Sequence, residues 1–458
     1  MSNGNGSAKP EGQSKLQRVV VGATVGTALE WYDFFIYGTA AALVFGDLFF
    51  SDAVPGAGTL IAFATFGVGF VARPFGGIIF GHLGDRIGRR ETLIITTLLM
   101  GLSTGLIGLL PTYSSIGIWA PILLVLLRVL QGLGAGAEFG GASTLLAEHA
   151  PKERRGFFCS FAQTGVQIGL VLGTLSFLLV GLLPDDQLNA WGWRIPFLLG
   201  FVMIAVALWV RLRVEESPVF QKVQASSTVV KLPLVDAVKN YPRSVLVGIG
   251  AHVCDTAAAY MYATFTVAYA TDQLDMSRGV VLGAVVTYGL LVIALQPFFG
   301  ALSDRIGRRP LNLFGVIFTG LWAFPFFALV QTGEPVLVWI ALIVAATVGW
   351  APMIAVQPAF YAELFGARVR YTGFATSREI GAAIAGFSPL VSVWLLDVNG
   401  DKPWLVAAFF VGLSLISLVA FLYSRETKGI DMDDIDPVQD ELVSDASPTD
   451  AGELAMNR

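Results

Sequence analysis

Two carboxylates lie inside an apolar stretch near the start of the sequence. Residues 27–38 read "TALEWYDFFIYG", and Glu30 and Asp33 are the only charged residues between Val19 and Gly46. Residues three apart on a helix share one face. A carboxylate inside a membrane helix marks a functional site, and one that changes its protonation state suits a proton-coupled carrier. Asp33 is therefore the first candidate for proton coupling, with Glu30 as its partner.

Six more charged residues lie near the centres of apolar segments, which brings the total to eight. Each costs about 2.5–3.5 kcal/mol at the centre of a membrane helix. The set contains five acids and three arginines, so two negative charges would stay unpaired if all were ionised. We therefore expect at least one acid to be protonated during part of a working cycle. The eight are Glu30, Asp33, Arg73, Arg128, Glu138, Asp255, Arg378 and Glu379.

Depth along the helices suggests which of these charges meet. At a rise of about 1.5 Å per residue, Asp33 and Arg128 both lie near the midplane of a membrane and could form an ion pair. Arg73 and Glu138 both lie about 15 Å from the same side and could also pair. The alternative is that these charges form fixed structural pairs with no part in transport.

Further polar residues in the apolar segments are candidate substrate contacts. Gln163 and Gln167 are four residues apart and share a helix face, where they would bind a substrate or bridge two helices. Arg73 and Arg378 are candidate partners of a substrate carboxylate. The predicted substrate-binding set is Arg73, Arg378, Gln163, Gln167, Tyr37 and Tyr260.

Two pairs of neighbouring polar residues leave alternatives open. Arg378 and Glu379 leave a helix about 100° apart and are not expected to serve one another. Arg378 lies about 12 Å from the nearer helix end, so it either snorkels to the surface or reaches a substrate carboxylate as a bidentate fork. His252 and Asp255 are one turn apart, and a core histidine is favoured there over a proton relay.

The composition shows which elements must position these residues. Of the 458 residues, 55% are hydrophobic and only 14% are charged. Apolar runs of 20 or more residues recur along the chain, long enough to cross a hydrocarbon core of about 30 Å. We predict an all-α polytopic membrane protein with twelve spans. They are 19–46, 59–83, 91–111, 117–147, 156–184, 193–213, 243–271, 277–302, 311–331, 335–363, 370–397 and 403–424.

Basic residues predict the orientation of the chain. Of the 29 lysines and arginines, 23 fall in the termini and the even-to-odd loops, which places both termini in the cytoplasm. Charges in the span centres fall on spans 1, 2, 4, 7 and 11, whereas spans 3, 6, 9 and 12 have none there. The first group is therefore expected to line a central cavity, and the second to face lipid.

An internal repeat divides the chain into two parallel halves. "GHLGDRIGRRETL" from Gly81 returns as "GALSDRIGRRPLN" from Gly300, and "AEHAPKERRG" from Ala147 returns as "AELFGARVRYTG" from Ala362. Both pairs lie in loops on the same side, so the six-helix halves share one orientation. The predicted divisions are a cytoplasmic tail (1–18), the N-terminal half (19–213), a cytoplasmic loop (214–242), the C-terminal half (243–424) and an acidic tail (425–458) that is expected to be disordered.

Several classes of protein are disfavoured. The two cysteines, Cys159 and Cys254, stand in apolar segments and predict neither a disulfide nor a metal site. There is no HExxH or paired Cys/His pattern, so no enzyme, metal or cofactor is expected. No basic patch with aromatics indicates nucleic acid.

These motifs together resemble the major facilitator superfamily and, within it, the metabolite:proton symporter family. "GHLGDRIGRR" resembles the superfamily loop motif and "RVLQGLGAGAEFGG" its helix 4 motif, while "EWYDF", "ARPFGG" and "WGWRIPF" resemble the narrower family. The resemblance implies a proton-coupling pair, Asp33 and Arg128, with Glu30 as modulator. It also implies a cytoplasmic latch in two copies, which consist of Asp85, Arg86, Arg89 and Arg90, and of Asp304, Arg305, Arg308 and Arg309.

The resulting expectation is a carrier in the cell membrane, acting as a monomer. It would import a small organic acid (a mono-, di- or tricarboxylate, or a shikimate-like metabolite) with protons by alternating access. The alternative is a proton-coupled carrier of zwitterionic solutes such as betaine or proline. Two latch copies disfavour a channel. Two departures from the family, the charged "SREIG" from Ser377 and the acidic tail, weaken any substrate assignment copied from a relative.

Overall fold

A computed structural model describes residues 11–50, 58–87, 89–136, 138–211, 233–366 and 369–430. Within these ranges all regular structure is helical. The long helices of the N-terminal half are α1 (Glu11–Leu43), α2 (Gly58–Ile87), α3 (Arg89–Ile107), α4 (Trp119–Ala135 and Glu138–His149), α5 (Arg155–Val180) and α6 (Arg194–Arg211).

The C-terminal half repeats this arrangement. Its helices are α7 (Pro242–Tyr260, the π-helical Met261–Phe265, and Thr266–Asp272), α8 (Arg278–Ile306), α9 (Arg308–Val330), α10 (Pro335–Val344, the π-helical Ala345–Trp350, and Ala351–Leu364), α11 (Arg370–Ala385 and Ser388–Val398) and α12 (Trp404–Tyr423). Eleven of the twelve are long and apolar enough to cross a membrane, and α3 has a shorter apolar stretch. The prediction of a twelve-helix, all-α membrane protein is confirmed.

Helices suit this environment because every backbone polar group is satisfied within the helix, where lipid offers no partners. The outward surface is correspondingly apolar. Leu321 on α9 and Val419 on α12 are among many exposed large hydrophobic side chains. In water such a surface would cause aggregation, whereas in a bilayer it contacts the apolar acyl chains of the lipids.

The two halves meet along the charged helices α1, α2, α7 and α11 and along α5 and α8, which have no charge near their centres. Helix α5 packs on α1 within its own half and on α8 of the other half, while α2 contacts α11 and α1 contacts α7. By contrast, α3 packs on α6 and α9 on α12, away from this interface. The structure therefore agrees with the separation of inner and outer helices that was expected from the intramembrane charges.

Glycines permit the closest helix contacts at this core. A Cβ added to Gly136 of α4 would collide with the Arg73 carbonyl of α2, and one at Gly169 of α5 would lie 2.8 Å from the Tyr32 amide nitrogen of α1. The small-residue stripes of α4 and α5 therefore pack their helices tightly within the N-terminal half. Residues 212–232 and 431–458, which include most of the predicted loop and tail, lie outside the described residues.

Candidate functional site

A carboxylate of α11 and an arginine of α2 join the two halves at the centre of the molecule. Arg73 Nε donates to Glu379 Oε2 at 2.5 Å and Arg73 Nη2 donates to Oε1 at 3.1 Å. Glu30 of α1 lies on the same guanidinium, with Oε1 3.7 Å from Nη2. All three side chains are buried. The fork-to-fork geometry is the strong form of an arginine–carboxylate contact.

A second guanidinium reaches the same carboxylate. Arg378 Nη1 donates to Glu379 Oε1 at 2.7 Å. The expectation that these neighbours do not serve one another is wrong, because the long arginine side chain bends back although the two Cβ atoms diverge. Arg378 is also 3% exposed, so it does not snorkel to the surface. We name Glu30, Arg73, Arg378 and Glu379 the inter-half charge cluster.

Aromatic rings surround this cluster and exclude water. The Arg73 guanidinium carbon lies 4.9 Å from the Phe34 ring centroid and 5.3 Å from that of Trp31. That of Arg378 lies 3.9 Å from the Phe139 ring centroid. Ring faces attract cations, and a low local dielectric strengthens each ion pair. The site is therefore built to hold charge tightly at the boundary between the halves.

The expected pair of Arg73 with Glu138 does not form among the described residues. Arg73 instead takes Glu379 and Glu30 as partners. Glu138 is buried at the start of the second segment of α4. Equal depth was a necessary condition for contact, but the two side chains also have to face one another around their helix axes.

Asp33 and Arg128 lie beside the inter-half cluster but are not in direct contact. Arg128 Nη1 donates to Gln131 Oε1 at 2.5 Å, and its guanidinium carbon lies 4.2 Å from the Tyr37 ring centroid. Within the described part of the chain, Asp33 has no ion pair within 4 Å, although Arg128 and Glu30 lie within its electrostatic range and the Thr104 hydroxyl interacts with its carboxylate. Asp33 is 3% exposed. A buried acid without a fixed ion pair suits a group that exchanges a proton.

The predicted polar contacts line the same interior. Tyr37 bonds Thr65, with 2.8 Å between the two hydroxyl oxygens. The Tyr260 hydroxyl and both side-chain amide atoms of Gln167, by contrast, are buried with no hydrogen-bond partner among the described residues, as is Gln163 Oε1. Buried polar groups normally find partners, so these atoms are the ones best placed to receive a polar ligand.

Helix α7 adds a histidine and an acid from the other half. His252 Nδ1 lies 2.9 Å from Asp255 Oδ1 and 3.1 Å from Gln357 Oε1. The Asp255 carbonyl accepts a hydrogen bond from Trp350 Nε1 at 2.9 Å. His252 Nε2 has no partner within the described ranges. The π-helical turn directly after Tyr260 is a feature that recurs at functional sites.

The second latch copy closes the face of the bundle at which α1 begins and α12 ends, which we call the terminal face. Asp304 accepts hydrogen bonds from the Gly156 and Phe157 amides, at 2.8 and 2.9 Å, and so binds the N-terminus of α5 in the other half. Its carboxylate also lies 2.8 Å from Arg308 Nη1. A carboxylate complements the positive end of a helix dipole.

A buried glutamate that sequence reasoning missed completes this closure. Glu363 binds Arg308 of its own half through two hydrogen bonds, at 3.1 and 3.2 Å, and Arg155 of the N-terminal half at 3.0 Å. The repeat contained the signal, because Glu148 and Arg155 correspond to Glu363 and Arg370 at an offset of 215 residues. Arg370 indeed lies 3.5 Å from Glu148. The two pairs cross between the halves symmetrically.

The remaining residues of the two predicted latch copies do not take part in this contact between the halves among the described side chains. Arg309 donates to the Phe421 and Leu422 carbonyls at the end of α12, and the Arg305 side chain is exposed. The first copy, Asp85, Arg86, Arg89 and Arg90, has its backbone in α2 and α3, but these side chains lie outside the described residues.

The segment after α12 also binds the terminal face. Glu426 accepts hydrogen bonds from the Arg308 and Arg309 amides, at 2.7 and 3.0 Å, and so caps α9. Thr427 donates to Glu363 at 2.9 Å, and the Ile430 carbonyl accepts from Arg155 at 3.0 Å. The start of the predicted acidic tail is therefore ordered and contacts both halves.

The opposite face is closed by an ion pair at the surface and by packed aromatic rings beneath it. Arg278 Nη1 lies 2.8 Å from Asp185 Oδ1 across the halves, although both side chains are partly or largely exposed. Deeper in, Tyr260 packs its ring on Phe66 and Phe70, with centroids 4.8 and 5.2 Å apart. The central charges are therefore enclosed from both faces.

Replacing Glu363 by glutamine is expected to open the terminal face. Among the described residues Arg155 would lose its charged partner and Arg308 would keep Asp304 alone. Breaking a buried ion pair costs about 3–5 kcal/mol. The reporter is Cys159, which is fully buried on α5 within electrostatic range of Glu363 and Arg155. In a background with Cys254→Ser, we expect thiol labelling of Cys159 to accelerate about tenfold or more. Unchanged labelling would contradict the role of Glu363.

The fold and the enclosed site define the class of protein. The sequence profile of the Major Facilitator Superfamily matches residues 23–386, and the chain belongs to this superfamily. It is a transporter and not an enzyme. A solved structure of the proton:xylose symporter XylE, a protein from Escherichia coli, superimposes with a TM-score of 0.71 at 20% sequence identity, covering 93% of this chain and 99% of that one.

Relatives of closer sequence belong to the narrower family that the motifs suggested. The shikimate transporter of Escherichia coli (strain K12) is 38% identical over 421 residues, which cover 91% of this chain and 96% of the relative. The glycine betaine/proline/ectoine/pipecolic acid transporter of Dickeya dadantii (strain 3937) is 34% identical over 432 residues, covering 90% and 84%. The resemblance to the metabolite:proton symporter family is thereby confirmed.

Proposed function

We propose that the protein imports a small organic acid together with protons by alternating access. The observation that carries this proposal is the binding of one carboxylate by two buried arginines, Arg73 from the N-terminal half and Arg378 from the C-terminal half. The same arrangement would hold the carboxylate of a bound metabolite between the halves. Basic residues on the terminal face support a cytoplasmic position for both termini.

The neighbouring polar groups favour a substrate with hydroxyl groups. The amide groups of Gln163 and Gln167 on α5 carry both donors and acceptors, which suit hydroxyls. The shikimate transporter among the relatives is named for a hydroxylated cyclic carboxylate. In this proposal Asp33 takes up the driving proton, Arg128 responds to the change in charge, and Glu30 adjusts the charge of Arg73.

The alternative, a carrier of zwitterionic solutes, draws on the aromatic rings and on the relatives named for betaine and proline. Rings such as Trp31 and Phe34 could attract a quaternary ammonium group. Their faces, however, already contact the Arg73 guanidinium, with Arg378 also near Trp31. A second cation would meet like charges there, so we favour the anionic substrate.

Uptake into proteoliposomes tests the proposal. A thermal-shift screen of organic acids and betaines first selects a probe, because a ligand that binds the folded state raises the unfolding midpoint. With shikimate as the expected probe, uptake should be saturable, rise with an inward proton gradient and fall on addition of a protonophore. The methyl ester, which lacks the charge, should not compete. Competition by glycine betaine but by no carboxylate would favour the alternative.

A further inference from the structure

The Glu379 carboxylate is bound as an external carboxylate would be. Three hydrogen bonds from two guanidiniums converge on its two oxygens, at 2.5, 3.1 and 2.7 Å. One of these guanidiniums belongs to the other half of the molecule. A ligand carboxylate placed between the halves would compete with Glu379 for these donors, although Arg73 Nη1 has no hydrogen-bond partner among the described residues.

We propose that Glu379 is an internal stand-in for the substrate carboxylate, which occupies the two-arginine site in the empty carrier and leaves it, protonated, when substrate enters. This inference rests on the proposed function and assigns a specificity-determining residue to it. It also sets an exchange: alongside the proton that Asp33 takes up, one proton joins a Glu379 oxygen for each substrate carboxylate bound.

Charge balance supports the exchange. The inter-half cluster contains two acids and two arginines, so its net charge is zero in the empty state. Entry of an anion alone would leave a buried negative charge, which is strongly unfavourable in this environment. Protonation of Glu379 restores neutrality, and the neutral acid no longer competes for the guanidiniums. A substrate anion and a proton therefore enter together.

The groups that face Glu379 come from five helices. They are Glu30 of α1, Arg73 of α2, His252 and Tyr260 of α7, Tyr361 of α10 and Arg378 of α11. The Tyr361 hydroxyl already donates to the Gly248 carbonyl. His252 is the one histidine in this set, so any pH profile must be compared in a His252→Gln background.

Removing the competitor is expected to strengthen substrate binding. Glutamine at position 379 imitates the protonated acid in size and neutrality. Glu379→Gln should bind the carboxylate probe about tenfold more tightly. In the parent, the affinity for the probe should fall as pH rises, because binding requires a proton on Glu379. In Glu379→Gln, the number of protons taken up on binding should be lower by one. Counterflow should persist, whereas accumulation against a gradient should fail. Glu334→Gln, an exposed acid on the opposite face, serves as control.

A second variant tests the site without reference to the substrate. Glu379→Ala removes the carboxylate and leaves both arginines, so sodium acetate should raise its unfolding midpoint relative to sodium chloride at equal ionic strength. The parent should show no such rise. If acetate stabilises Glu379→Ala but the parent binds no organic acid, Glu379 does occupy a carboxylate site, and the proposed function is wrong. Unchanged probe affinity in Glu379→Gln, or no acetate rescue in Glu379→Ala, would overturn the stand-in.

Discussion

Replacing Arg73 by glutamine is expected to lower uptake about 100-fold or more. The change removes the one guanidinium of the N-terminal half that contacts Glu379 among the described residues, and it leaves Glu30 without this cation. Loss of one partner from a buried pair costs about 3–5 kcal/mol. Arg73→Lys retains the charge but cannot donate from two nitrogens in a fixed plane, so an intermediate loss is expected.

Initial uptake rates at matched membrane levels measure this effect, with Arg243→Gln as the control. Arg243 is an exposed arginine that binds the Tyr423 carbonyl on the terminal face, so its loss should leave uptake near that of the parent. The double variant Arg73→Gln/Glu379→Gln should recover thermal stability relative to Arg73→Gln, because the buried acid is no longer charged. It should not recover uptake. Parental uptake by Arg73→Gln would remove Arg73 from the substrate site.

Replacing Asp33 by asparagine is expected to abolish accumulation while counterflow continues. The asparagine side chain matches aspartate in volume but cannot exchange a proton. Asp33 forms no ion pair within 4 Å among the described residues, so little packing or pairing should be lost with its charge. The probe should therefore equilibrate across the membrane instead of concentrating inside.

The accumulation ratio under an imposed proton gradient measures this outcome, and Asp397→Asn, an exposed acid of α11, is the control. Substrate affinity distinguishes the role of Asp33 from that of Glu379. Asp33→Asn should bind the probe about as the parent does, whereas Glu379→Gln should bind it more tightly. Full accumulation by Asp33→Asn would show that Asp33 takes up no driving proton, and coupling would then rest on the proton taken up by Glu379.

The architecture of this protein was determined by its sequence. Apolar runs of membrane length define the helices, and loss of backbone hydrogen bonds in lipid leaves no other regular structure open to them. The "DRIGRR" repeat revealed the parallel halves. The positions of Glu30, Arg73 and Arg128 marked the inner helices, because charges are too costly to face lipid.

Which buried charges form ion pairs with one another was decided only by the tertiary structure. Depth along a helix could be calculated from the rise per residue, and it suggested Glu138 for Arg73. The actual partner, Glu379, is 306 residues away and was beyond that calculation, because contact also depends on helix rotation and on how two halves dock. For the same reason the ion pairs of Glu363 were not predicted, although the repeat aligned Glu363 with Glu148.

The adjacent pair Arg378 and Glu379 shows the physical reason most directly. Helix geometry fixes the directions of their Cβ atoms and argued against contact. The reach of an arginine side chain, together with a cage of rings and a second guanidinium from the other half, brings the charged ends together at 2.7 Å. Sequence determined which charges are buried in this protein, whereas packing between the halves determined which of them share one carboxylate.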